Sequence, residues 1–321
     1  MAARTRTTSV QSHPGFAERY GPWALVAGAS EGLGAAYAHA LARRGLHLVL
    51  VARRRALLRG LADELSAGFA VEVRCLNGDL GERRFLESLQ DACSGLEVGL
   101  IVYNAACAPI GEFASTPLDD LLRVAAVNIG APVALARGLL PGMIERARGG
   151  VILMTSLAGN QGSPYIAAYA ASKAFNRVLA EGLWYELKDK GVDVVACCAG
   201  AVRTPGYSGA AAGKDALGTL DPEEVVEQAL RALGRGPAVI PGFVNRVASA
   251  FMIRVLPRRR AISIMARNTG DLVPARVAPA SAARQAAPPT APPAAAPQAA
   301  PPAAPAAAPP LPDPPPAKDA P

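Results

Sequence analysis

A chain of 321 residues with 33 Lys and Arg against 26 Asp and Glu carries a formal charge of +7, spread along the chain. An excess this small and this dispersed does not favour a nucleic-acid partner. With 51% hydrophobic residues there is ample material for a core, and the composition argues against a largely disordered protein. Met1 to Gly15 is polar and lacks the apolar centre of a signal peptide. Apolar runs of strand length then recur at Trp23–Ala27, Leu46–Ala52, Ala70–Leu76, Val98–Tyr103, Val151–Thr155, Val192–Cys198 and Ala238–Ile240, with helical patterns between them. Continuous apolar strands must be buried on both faces, and their alternation with helices predicts a doubly wound α/β domain around a seven-stranded parallel sheet. No stretch reaches the roughly 18 apolar residues that a spanning helix requires.

From Pro274 onward the sequence is almost wholly Ala and Pro. Proline removes backbone donors and alanine offers little surface to bury, so a disordered tail is expected over 271–321. A globular domain is expected over 20–270, with an extension over 1–19. The Pro-x-x-Pro spacings in the tail would suit an aromatic groove on a partner, although low complexity generates them freely. The five cysteines show no metal-ligand spacing and sit mostly in apolar segments, which fits buried free thiols and a reducing cytoplasm.

Several polar and glycine positions fall at the carboxyl ends of the predicted strands, where such sheets bind ligands. Gly28, Asp79, Asn104, Ser156 and Gly200 all lie there. The run Val26-Ala27-Gly28-Ala29-Ser30-Glu31-Gly32-Leu33-Gly34 reads as a strand, a glycine turn and a helix start, with Gly28 for the turn, Gly32 for close approach of a pyrophosphate and Gly34 for helix packing. Tyr169 and Lys173 are four residues apart and so share one helical face, placing a phenol beside an ammonium. Thirteen residues before Tyr169, Ser156 closes a strand that would deliver its hydroxyl to the same cleft.

In order and spacing this set resembles the short-chain dehydrogenase/reductase family over roughly residues 20 to 270. The resemblance implies a Rossmann-type fold and hydride transfer between a nicotinamide and a carbonyl or secondary alcohol. It implies Ser156, Tyr169, Lys173 and Asn128 as the catalytic set, with Tyr169 as general acid/base, Lys173 on the nicotinamide ribose, Ser156 on the carbonyl oxygen and Asn128 holding a water in a relay to Lys173. Gly28, Ser30, Glu31, Gly32, Leu33, Gly34, Asp79, Leu80, Asn104, Ala105, Gly200, Val202 and Thr204 match cofactor-binding positions. After the second strand, Arg53 matches the position that selects NADP(H), with Arg54 beside it, because a guanidinium can pair with a 2′-phosphate. NAD(H) is the less favoured alternative. Glu31 in the glycine turn is less welcoming to phosphate.

The chain departs from the family pattern at Ala27, Tyr103, Ala106 and Ala199, where Thr, Asn, Gly and Pro are usual. Ala106 and Ala199, together with the tail, keep open a second reading, a catalytically idle NADP(H)-binding sensor or scaffold. The nearby cation Lys173 is expected to lower the Tyr169 phenol toward neutral pH.

Arg203 to Leu220, rich in Gly and Ala, corresponds to the family's substrate lid and leaves room for a bulky lipophilic substrate. Tyr20-Gly21-Pro22-Trp23 and Ala36-Tyr37-Ala38 are similar to the steroid and long-chain 3-ketoacyl reductases of the family. The helix around Ala167 to Lys190 carries Ala171, Phe175, Val178, Leu179, Leu183 and Leu187, more apolar surface than one sheet face needs, so a homodimer or homotetramer is expected. Between Phe243 and Arg267 apolar and basic residues alternate. Two readings stay open there, closing helices over the substrate pocket or a weak peripheral contact with an anionic membrane.

Overall fold

The computed structural model describes residues 15–210, 215–270 and 273. The seven strands are β1 (Trp23–Ala27), β2 (His47–Ala52), β3 (Val73–Asn77), β4 (Val98–Tyr103), β5 (Gly149–Ser156), β6 (Val192–Ala199) and β7 (Ala238–Val239). They form one sheet in the order β3-β2-β1-β4-β5-β6-β7, every pair parallel. The helices are α1 (Phe16–Tyr20), α2 (Gly32–Ala42), α3 (Arg55–Gly68), α4 (Arg83–Cys93), α5 (Leu118–Ala125), α6 (Ala131–Glu145), α7 (Ala167–Leu187), α8 (Pro205–Ala210), α9 (Pro222–Ala232), α10 (Phe243–Arg254) and α11 (Arg258–Gly270).

The central strands β1, β4 and β5 are buried along their length up to Ser156, the last residue of β5, as their apolar sequence demands. One face packs under α2, α3 and α9 through Leu41, Leu58, Leu65, Val225 and Ala229. The other packs under α4, α6 and α7 through Leu89, Leu135, Met143, Ala180 and Leu187. The edge strand β3 starts three residues later than its sequence pattern suggests and is half exposed, since it has a neighbouring strand on one side only. Strand order reverses between β1 and β4, and a ligand crevice belongs at the carboxyl end of that junction.

One expectation is corrected. Leu118–Glu145 runs as continuous helix through α5, a π-helical turn at Ala126–Gly130 and α6, and by length and composition it could cross a membrane. It covers the sheet instead, burying Val124, Val127, Leu135, Leu140 and Met143. Of the charges that interrupt it, Asp119, Asp120, Arg137 and Glu145 are exposed on its outer side, as in any core-covering helix, and Arg123 turns toward the crevice.

The extension expected over 1–19 is described from Gly15. There α1 is tied to β6 by Asp193, which accepts from Arg19 Nε at 2.8 Å and from the Tyr20 hydroxyl at 2.7 Å. The tail expected over 271–321 lies outside the described residues, Val273 excepted. All five cysteines are free thiols.

Candidate active site

Two adjoining cavities open at the carboxyl end of the sheet. The larger, about 470 Å³, is lined by Gly28, Ser30, Glu31, Gly32, Leu33, Arg53, Arg54, Asp79, Leu80, Asn104, Ala105 and Thr204, all read from the sequence as cofactor-binding positions. The smaller, about 210 Å³, is lined by Ser156, Tyr169, Lys173, Gly200, Val202 and Tyr207 among others. Leu33, Asn104, Ala106 and Thr204 line both, so the two share a wall.

The glycine turn is built for close approach. Gly28 has φ +84°, and a Cβ there would lie 2.7 Å from the Ala105 backbone. Gly32 has φ +56°, and its Cβ would meet Thr204 at 2.8 Å. A side chain at Gly34 would collide with the Gly28 carbonyl. Each of the three is therefore held to glycine by a specific neighbour, and the first turn of α2 lines the larger cavity through Gly32 and Leu33. This donor set, a helix N-terminus with a guanidinium beyond it, fits a dinucleotide phosphate. Asn104 Nδ2 donates to the Gly28 carbonyl at 2.9 Å and locks the turn to the end of β4.

The two arginines after β2 are not equivalent. Arg54 is paired with Glu31 at 2.7 Å and donates to Ser30 Oγ at 2.9 Å. Arg53 has no ion-pair partner among the described residues, and Asn77 Nδ2 fixes its backbone carbonyl at 2.8 Å. Asp79 is bound on one oxygen by the Gly81 amide at 2.9 Å and on the other by Arg123 of α5. Burial pushes the Asp79 carboxyl up, but the Arg123 and Gly81 hydrogen bonds outweigh it and hold the group below the usual carboxylate range. Arg123, a lining residue that the sequence reading missed, has no local signal. It sits 44 residues from Asp79, and only the fold joins them.

The π-helical turn brings Asn128 inward. Its side chain accepts from the Cys107 amide at 2.8 Å and donates to the Cys107 carbonyl and Ser172 Oγ, both at 2.9 Å. The carbonyls freed by the turn are taken up by side chains, with the Tyr103 hydroxyl on Val127 O and Asn176 Nδ2 on Asn128 O. Among the described residues no hydrogen bond links Asn128 to Lys173. Tyr103, which replaces the usual Asn, thus has a structural task inside the core. Ala106 is exposed where the cavities meet, and the side chain of Asn245 stands against Gly200.

Ser156 ends β5, its Oγ accepting from the Ala158 amide at 3.2 Å. Tyr169 and Lys173 sit one turn apart on α7. The Tyr169 hydroxyl neighbours Ser156, and Lys173 Nζ lies 5.5 Å from the Tyr169 ring centre while donating to the Met154 carbonyl at 2.8 Å. Burial raises the Tyr169 phenol above its ordinary value, only partly opposed by its hydrogen bond with Ser156. Burial lowers Lys173 to about 8. The expected lowering of the phenol by Lys173 is therefore absent in the free protein, because enclosure outweighs a cation whose own charge is penalised by the same enclosure.

This yields a stability prediction. Lys173 titrates near 8 when folded and near 10.5 when unfolded. Between those values the unfolded chain binds the extra proton, so stability rises with pH across that window, by roughly 3 kcal/mol in all. Above pH 10 the raised Tyr169 phenol acts in the opposite sense. Denaturant midpoints of the protein and of Lys173→Met are expected to converge as pH rises from 8 to 10, and parallel pH profiles would refute the assignment.

The family model for short chain dehydrogenases matches residues 22–214. The chain belongs to the short-chain dehydrogenase family. It is an oxidoreductase by that membership, and its relatives include enzymes of steroid and 3-oxoacyl type. The 7beta-hydroxysteroid dehydrogenase of Clostridium sardiniense is 34% identical over 72% of this chain and 89% of its own. The very-long-chain 3-oxoacyl-CoA reductase of Anas platyrhynchos is 35% identical over 54% of this chain and 57% of its own. A short-chain dehydrogenase from Sphingobium yanoikuyae, solved in complex with NADPH, superposes with a TM-score of 0.65 at 29% identity, covering 74% of this chain and 96% of that one.

Proposed function

We propose that this short-chain dehydrogenase is NADP(H)-dependent and transfers hydride between the nicotinamide and a carbonyl or secondary alcohol of a bulky lipophilic substrate, steroid-like or 3-ketoacyl, with Tyr169 as general acid/base. The observation that supports this reading is the adjacency of the two cavities, one lined by Ser156, Tyr169 and Lys173 and the other by the glycine turn and Arg53.

A bound nicotinamide supplies the hydride that reduces the carbonyl carbon. The oxygen then gains charge and must be protonated. A phenol whose pKa is raised stays protonated at neutral pH, as a general acid must, and Tyr169 gives its proton to that oxygen. Because Ser156 Oγ already accepts from Ala158, its own proton is left to donate to the same oxygen. Lys173 is still mostly protonated at neutral pH and stabilises the phenolate left behind. With one donor on Met154, it keeps two for a ribose hydroxyl. Asn128 acts as a positioning residue, clamping the loop at Cys107 to α7.

Self-association is part of the reading. On α7, Leu187 is buried and Leu179 and Leu183 are half-buried, but Phe175 and Val178 face outward, Val178 at 67% exposure, and α5, which packs against α7, exposes Leu118 and Leu122. A second copy covering this face would bury them in a homodimer or homotetramer. A monomeric mass by light scattering at assay concentration would overturn it.

The test of function is NADPH oxidation at neutral pH across steroid ketones, 3-ketoacyl thioesters and small ketones, with NADH and Tyr169→Phe in parallel. Turnover that prefers NADPH, favours the bulky substrates and disappears in the variant is expected. Tight NADPH binding without turnover in either direction would instead support the idle-binder reading.

A further inference from the structure

The helix α10 is folded with its polarity reversed. α10 buries Asn245 and Ser249 and turns Phe243, Val244, Val247, Phe251 and Ile253 to solvent, Phe243 at 73% exposure. Its polar side chains hold it to the body. Asn245 Nδ2 donates to the carbonyls of Gly218 at 3.0 Å and Pro241 at 3.1 Å, and Ser249 Oγ accepts from Asn160 Nδ2 at 3.1 Å. Phe243, Val247, Phe251 and Val255 are four apart, so they line up as one exposed apolar stripe. A contiguous stripe of this kind adds nothing to the stability of the free protein and marks a contact surface.

The charge around the stripe is of one sign. Residues 241–270 contain no Asp or Glu, and their six arginines, Arg246, Arg254, Arg258, Arg259, Arg260 and Arg267, are all exposed. Among the described residues none of the six is in an ion pair. A second copy in a twofold contact would set these arginines against one another with no acid on either helix to answer them. An apolar stripe edged by unpaired guanidinium groups is instead complementary to a bilayer whose headgroups are anionic.

We infer that α10 and α11 seat the protein on anionic lipid membranes, with the Phe243-Val247-Phe251-Val255 stripe at the acyl boundary and the arginines on lipid phosphates. The seat adjoins the site. Arg258 Nη1 donates to the Asn160 carbonyl at 2.9 Å and Thr269 Oγ1 to the Pro164 carbonyl at 2.8 Å, both in the segment that links Ser156 to Tyr169. Asn245 stands against Gly200 of the smaller cavity. A lipophilic substrate dissolved in the bilayer would then reach the cavity without crossing water. That consequence rests on the function proposed above, whereas the docking does not.

The test is co-sedimentation of the full chain with vesicles of phosphatidylcholine alone and of phosphatidylcholine with phosphatidylglycerol, at low and high salt. Binding to the anionic vesicles, weakened by salt, is expected. At roughly fivefold per arginine, the combined variant Arg254→Gln, Arg259→Gln, Arg260→Gln should weaken it on the order of 100-fold. Phe243→Ser with Phe251→Ser should abolish it while the melting temperature and NADPH affinity hold, since both rings are exposed and outside the site. Absence of binding to anionic vesicles, or binding that both variants retain, would overturn the inference. So would a drop in the protein's mass in the Phe243→Ser, Phe251→Ser variant without any vesicle binding by the parent, which would assign the stripe to a second copy.

Discussion

Tyr169→Phe is expected to lower kcat by about 10²- to 10⁴-fold, the range contributed by a positioned proton donor, with NADPH binding essentially unchanged. The substitution removes one oxygen and keeps the ring that packs beside Lys173. Ser156→Ala should cost about 10²- to 10³-fold by losing one donor to the developing charge. The double variant should be little worse than Tyr169→Phe, because the two hydroxyls neighbour each other and serve the same oxygen. Lys173→Met should differ in kind, lowering kcat and also weakening the cofactor, since the ammonium is proposed to hold the ribose as well. Stopped-flow hydride transfer and fluorescence titration of NADPH separate these outcomes. A Tyr169→Phe enzyme with undiminished single-turnover rate would remove Tyr169 from the chemistry and leave the function without a proton donor.

What the sequence made legible is what short-range periodicity controls. The sheet can be read because its strands are apolar on both faces, and α7 because Tyr169 and Lys173 lie one helical turn apart. The glycine turn can be read because three positions each need the absence of a side chain, which Ala105, Thr204 and the Gly28 carbonyl explain in space. Features made by tertiary contact were not legible. Arg123 reaches Asp79 only through the packing of α5 against the crevice, and nothing local to either residue announces the pair. The π-helical turn at Ala126–Gly130 is invisible to hydrophobic pattern, yet it aims Asn128 and frees the carbonyls that Tyr103 and Asn176 satisfy. The direction of the Tyr169 shift was misjudged because a helical spacing reports proximity to Lys173 but not enclosure. The outward face of α10 reverses the usual rule, so its pattern alone left two readings open.

Replacing Arg53 by Ala is expected to weaken NADPH by about 10- to 150-fold, the equivalent of roughly 1.5–3 kcal/mol for hydrogen bonds to a charged group, and to leave NADH nearly unaffected. The argument turns on which guanidinium is available. Arg54 is engaged by Glu31 at 2.7 Å and by Ser30, so it enters the site already neutralised, while Arg53 lines the same cavity with no ion-pair partner among the described residues. Arg54→Ala should therefore cost less than Arg53→Ala, because it removes a cation that Glu31 already neutralises, although the freed Glu31 carboxylate narrows the difference. Glu31→Gln should tighten NADPH, since it removes a negative charge from the cavity and releases Arg54 to act as a second phosphate donor. In an Arg53→Ala background that gain should be larger, as Arg54 becomes the main cation left near the end of β2, and the two substitutions should not add. Dissociation constants for NADPH and NADH on the four proteins of that cycle measure the coupling directly. Equal losses for NADPH and NADH in Arg53→Ala would place Arg53 on a part of the dinucleotide common to both and withdraw the NADP(H) preference from it.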